Sequence, residues 1–223
     1  MARKKLQSPK ASKGDRAHSV VKASLSAIPV IGGPAAELFQ NVVQPPLERR
    51  RIEWMNSVAE KLEDLEKQDR LDVTSLTNNE EFISAVMYAT TLALRTHNES
   101  KLNALRNALV NIAIGQAPEE TLQHIFMNLI DTLTELHVRI LKTFQAPTPP
   151  PGMSAGGLSD VLEHNLPDMR GQKELYRQIW RELYNHGLFV ADNLNMTMTG
   201  SGLAQKQTTR LGDGLLDLIS APE

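Results

Sequence analysis

The chain has 223 residues, a formal net charge of −2, and 41% hydrophobic, 22% charged and 4% aromatic residues. That balance belongs to a folded chain of one or two domains whose core must be filled by Leu, Ile, Val and Ala, the usual chemistry of packed helices. The lack of cysteine excludes a disulfide framework, a thiolate metal site and a cysteine nucleophile, and with no apolar run after the basic start Met1 to Lys5 a cytoplasmic location is the expectation.

Charge is unevenly spread. Residues 1–16 hold six basic and one acidic residue (+5), residues 17–157 twelve and sixteen (−4), and residues 158–223 six and nine (−3). The basic stretch is nearly devoid of apolar side chains, so a mobile tail is expected. From Ala17, the spacing of Val20, Val21, Leu25 and Ile28 predicts a short helix stopped at Pro29 and Gly32-Gly33. A second runs from Pro34 to Val43 and carries Leu38 and Phe39. Pro45-Pro46 predicts a break. The next helix, 47–68, repeats Leu47, Trp54, Val58, Leu62 and Leu65 on one face, with the unusual triplet Arg49-Arg50-Arg51 at its start.

Thr77-Asn78-Asn79-Glu80 matches a capping box for a helix to Arg95, Asn98 can cap another ending at Gly115, and Pro118-Glu119-Glu120 opens a third. In that third helix an unbroken stripe from Leu122 through Phe126, Leu129, Leu133, Leu136 and Ile140 predicts continuity to Phe144. Residues 146–157, rich in Pro and Gly, predict a semi-rigid linker and the domain boundary. Beyond it come a short helix (158–164), a break at Leu166-Pro167, and a helix 169–186 with Leu175, Ile179 and Leu183 inward. Leu188-Phe189-Val190 follow as a strand, turn signals at Asp192-Asn193 and Gly200-Ser201-Gly202 frame a β-ribbon, and Thr209 caps a final helix.

The succession Leu183-Tyr184-Asn185-His186-Gly187-Leu188, a ribbon, and Thr209-Arg210-Leu211-Gly212 resembles the winged-helix modules of many bacterial regulators. Ile28-Pro29-Val30-Ile31-Gly32-Gly33, with Ala36-Glu37-Leu38-Phe39 and Pro45-Pro46-Leu47-Glu48, is similar to a widespread group of bacterial helical proteins to which no activity is attached. An apolar N-terminal helix in a small bundle resembles, more loosely, the HeLo-type membrane-targeting bundles of cell-death effectors. The fold class expected is mainly α: a bundle over 17–145 and a small α+β winged-helix-like module over 158–223.

No catalytic constellation is visible. The histidines at 18, 97, 124, 137, 164 and 186 lack metal-ligand spacing, Asp131 and Glu135 read as a solvated edge, and no phosphate-binding glycine loop or nucleophile elbow occurs. No cofactor and no metal is expected, and a non-enzymatic regulatory or interaction role follows, with another protein as the first-ranked partner and self-association as a further outcome. Duplex DNA ranks second, through Arg170, Lys173, Arg177, Arg181, Lys206 and Arg210, against which the module's net −3 stands. An anionic membrane or partner surface formed by Val20, Val21, Leu25, Ile28, Leu38 and Phe39 ranks third.

Overall fold

A computed structural model describes residues 34–222, with side chains from residue 46 onward. The chain divides into two compact units, Met1–Glu48 and Arg49–Glu223. In the first, the described part is helical backbone, with side chains for residues 46–48; Val20, Val21, Leu25 and Ile28, the basic tail and the helix expected from Ala17 lie outside the described residues, as do the side chains of Leu38 and Phe39.

Helix α1 (Pro34–Lys67) runs through Pro45-Pro46, where a break was expected. Proline's fixed φ falls within the helical range, so the pair keeps helical dihedrals while withdrawing two N–H donors. Trp54, Val58, Leu62 and Leu65 are buried as their spacing requires, and the Trp54 indole N–H donates to Thr90 Oγ1 at 3.0 Å.

A 3-10 segment, Val73–Asn78, takes the place of the expected capping box: the Thr77 hydroxyl donates to the Thr74 carbonyl at 2.7 Å. The cap of α2 (Glu80–Arg95) is Asn79, whose side chain accepts from the Phe82 N–H at 3.0 Å. Asn caps as well as Thr and sits one residue before the acidic first turn, which completes the favourable polarity. Helix α3 (Glu99–Ala113) is capped by Asn98, accepting from the Lys101 N–H at 2.9 Å, and Gly115 follows it in the left-handed region at φ +71°. Both of these were legible.

The long third helix is two: α4 (Glu120–Thr132) and α5 (Glu135–Gln145). Leu133 and Thr134 are extended between them, and His137 Nδ1 accepts from the Thr134 main-chain N–H at 3.2 Å, the reciprocal half of a capping box with His in the Glu position. Because Leu129, Leu133, Ile140 and Phe144 stay buried across the break, hydrophobic spacing cannot reveal it. His137 takes the buried place and Leu136 is left half-buried.

The expected boundary at 146–157 lies inside the second unit. Within that stretch β1 (Ala155–Gly156) pairs antiparallel with β2 (Met198–Thr199). Helices α6 (Leu158–Asn165) and α7 (Lys173–Asn185) flank a 3-10 turn at Pro167–Met169; after β2 come the one-turn α8 (Gly200–Leu203) and the last helix, α9 (Arg210–Ile219). The expected ribbon is thus two separate pairings, the second being Phe189 opposite Thr208. Helix α9 packs on α3 and α5, and α7 on α5, so the C-terminal helices complete the bundle rather than standing apart from it. The described residues are mainly helical, with this small antiparallel sheet, as the fold class expected.

Two polar devices fix α9. At its C-terminus the last carbonyls of a helix lack helical partners; the amide of Asn111, 3% exposed on α3, donates to Leu218 O at 2.7 Å and Ser220 O at 3.0 Å, and that of Asn107 to Ile219 O at 2.9 Å. At its N-terminus Thr209 accepts from the Gly212 N–H at 3.0 Å and donates its hydroxyl to Gly187 O at 2.6 Å, while its own N–H reaches Leu188 O at 3.0 Å. A Cβ on Gly212 would lie 2.5 Å from Leu188 O, so only glycine fits. Gly187 itself sits at φ +72°, ending α7.

Candidate functional site

Three of the six cationic positions singled out by sequence, Lys173, Arg177 and Arg181, lie on α7. Its inner face is set by packing: Tyr176, Ile179, Trp180 and Leu183 are buried. Trp180 stands edge-on to Phe144 of α5 (centroids 4.8 Å apart, planes at 84°) and against Phe189 (4.1 Å), and its indole N–H donates to Ala191 O at 2.9 Å. Such aromatic pairs add specific geometry to area burial, so the helix cannot roll without breaking them. Tyr176 O–H donates to Glu163 Oε1 at 2.8 Å; burial, with that hydrogen bond, pushes the phenol up to about 12.

Leu175, expected inward, is 45% exposed. The reason is helical phase: 176, 179, 180 and 183 define the buried arc, and Leu175 lies at its edge. Trp54 and Trp180 are core residues, whereas Tyr184 is 40% exposed.

The outer flank of α7 carries Lys173, Arg177, Arg181 and Tyr184, spaced four, four and three residues apart and therefore in one row. All four are exposed, and the three cations form no ion pair or hydrogen bond among the described residues. The other predicted contacts separate from this row. Arg170 donates through Nε to Glu163 O at 3.2 Å; Lys206 Nζ is held by Asp213 Oδ2 at 2.6 Å; Arg210 is exposed at the start of α9. Burial pushes the Asp213 carboxyl up, but hydrogen bonds from Lys206 and Thr208 outweigh it and leave the group below its ordinary value. Lys206 is thus an internal partner of α9, not a free contact.

Sequence reasoning missed two tethers behind the row. His137 Nε2 lies 2.8 Å from Glu182 Oε2; since Nδ1 accepts from Thr134, the hydrogen is assigned to Nε2, which donates. Hydrogen bonds from Gln178 and His137 hold the Glu182 carboxyl below its usual range. Arg139 on α5 forks onto Asp168 with two bonds of 3.0 Å, which lowers that carboxyl and raises the guanidinium. The Thr134-x-x-His137 spacing was the one available signal for the first; nothing local marks the second.

Among the described residues no three His, Asp or Glu side chains gather in a metal-holding group, and no helix is long and apolar enough to cross a membrane. Helix α7 thus combines a packed inner face with an exposed outer row of Lys, Arg and Tyr side chains. No protein-family model, curated protein or solved structure matches this chain.

Proposed function

We propose that this chain is a non-enzymatic interaction protein whose helical scaffold presents the outer flank of α7 to an acidic surface of another protein. The observation that carries the reading is the row Lys173, Arg177, Arg181 and Tyr184, exposed on a helix whose opposite face is locked. Arg and Tyr are the residues most often found to dominate protein interfaces, because each combines a large contact area with directional hydrogen bonds. Three cations without internal partners have only water to lose when an acidic patch arrives.

Duplex DNA would use the same row, as the winged-helix resemblance of this region implies. The charge ledger favours protein: residues 158–223 hold six basic against nine acidic residues, Lys206 is committed to Asp213, and Glu174 lies beside the row. Phosphate neutralisation dominates DNA affinity, so a net acidic region with three free cations is a poor start.

The test is affinity capture from the native host with the full chain and with the double variant R177E/R181E, each with and without nuclease. A protein retained by the parent in both lysates and lost by the variant, at unchanged melting temperature, supports the reading. Retention by the variant overturns it, and a partner that vanishes with nuclease transfers the row to nucleic acid.

A further inference from the structure

The core covers only part of the apolar arc of α1. At about 100° per residue, Leu65, Val58, Leu62, Met55, Ala59 and Ile52 follow one another around the helix within about 140°. Leu65, Val58 and Leu62, on the near side, are buried; Met55, Ala59 and Ile52, on the far side, are exposed, Met55 at 46% and Ile52 at 52%. Arg51 and Glu66 stand at the two ends of the arc. Ile52, Met55 and Ala59 are three and four residues apart, the spacing that lines the seam of a helix pair.

The side chains around this strip are self-complementary under a two-fold axis. When α1 is laid antiparallel on its own copy, with the axis between Met55 and Asn56, Ile52 lies opposite Ala59 of the second copy, a large side chain against a small one. Arg49 then falls between the levels of Glu60 and Glu63 of the second copy, and all three lie on one flank of the strip, within about 60° of one another around the helix. Each of these contacts occurs twice, as a two-fold interface requires. A parallel pairing would instead set Arg49, Glu60 and Glu63 each at the level of its like. Glu60 and Glu63 are exposed and form no ion pair or hydrogen bond among the described residues, while Arg49 meets only Glu53, at 3.7 Å on the surface.

We propose that the strip Ile52, Met55 and Ala59 docks antiparallel on the same strip of a second copy of this chain, with Arg49 held between Glu60 and Glu63 of that copy. Residues 49–63 span about 21 Å of helix, short for a permanent interface, so the dimer is weak and reversible. It is independent of the α7 row: R177E/R181E should leave it unchanged.

The experiment is sedimentation equilibrium of the full chain from about 5 to 500 µM, where a monomer–dimer equilibrium with Kd of about 10–100 µM is expected. Met55→Lys puts a charge into the seam and should weaken the dimer about ten-fold or more. Arg49→Glu should weaken it about three- to ten-fold at low salt, and R49E/E60R/E63R should restore it by exchanging the charges. All four positions are exposed, so melting temperatures should stay at that of the parent. The chain has no cysteine, which makes an introduced one a clean reporter of register. Asn56→Cys, beside the axis, should give a disulfide-linked dimer on oxidation, whereas Glu63→Cys, about 22 Å along the helix from its counterpart, should not. A monomer throughout the concentration range overturns the proposal. So does a dimer indifferent to Met55→Lys, or one that links through Glu63→Cys as readily as through Asn56→Cys.

Discussion

The stretch 80–145 and the stretch 158–219 reach the same end, burial in one core, by different means. In the first, aliphatic stripes on α2 to α5 do the packing and polar side chains serve the helix ends. In the second, short elements are tied by side chain to main chain: Trp180 to Ala191, Asn111 to Leu218 and Ser220, Thr209 to Gly187 and Gly212. The difference teaches that periodic burial stabilises long helices, whereas a region of ten-residue pieces is fixed by a few directional bonds and close approaches. Such a region is more sensitive to single substitutions that remove no apolar area.

That contrast can be broken by substitution. Trp180→Ala removes the centre of the aromatic cluster and should cost about 3–5 kcal/mol, lowering the melting temperature by roughly 2–4 °C per kcal/mol for a domain of this size. Gly212→Ala adds one methyl yet forces α9 away from Leu188 O; a loss of about 3 kcal/mol is expected, against a few tenths for Ser201→Ala, an exposed position nearby. Asn111→Ala leaves the Leu218 and Ser220 carbonyls unpaired in the interior and should cost about 1–3 kcal/mol by urea titration. In the bundle, Asn98→Ala loses only a cap, about 1 kcal/mol.

The smallest effect is one of pH. Asp213 is held below its unfolded value, so its contribution is complete above the usual carboxylate range near pH 4 and is lost as pH falls through the lowered value. Asp213→Asn should flatten that acid limb of the stability profile without altering the limb above pH 5. A profile that keeps its slope there would assign acid sensitivity elsewhere.

How far the sequence carried the fold follows the same division. Asn98, Gly115, Gly187 and Thr209 were readable because a cap or a left-handed turn needs a particular residue beside a periodic run. The continuation of α1 through Pro45-Pro46 was not, since proline statistics describe breaks and not the cases where φ is already satisfied. The division at Leu133-Thr134 keeps the apolar phase, and only the cap pair Thr134 and His137 marks it. The Pro and Gly run at 146–157 reads as a linker locally, yet Ala155 and Gly156 find a strand more than forty residues away, a pairing no local pattern encodes. At the site, the charged row of α7 was legible by spacing. That Lys206 is consumed by Asp213 and that Leu175 faces out required the packing of the neighbours.

One body from Arg49 onward, with α9 as a shared element of the bundle, underlies the fixed α7 face. Native-state hydrogen exchange tests this most directly. The amides in the middle of α3 and of α9 should open with the same free energy and the same denaturant dependence, as members of one cooperative unit. An α9 that exchanges through its own, lower-energy opening while α3 stays protected would contradict it.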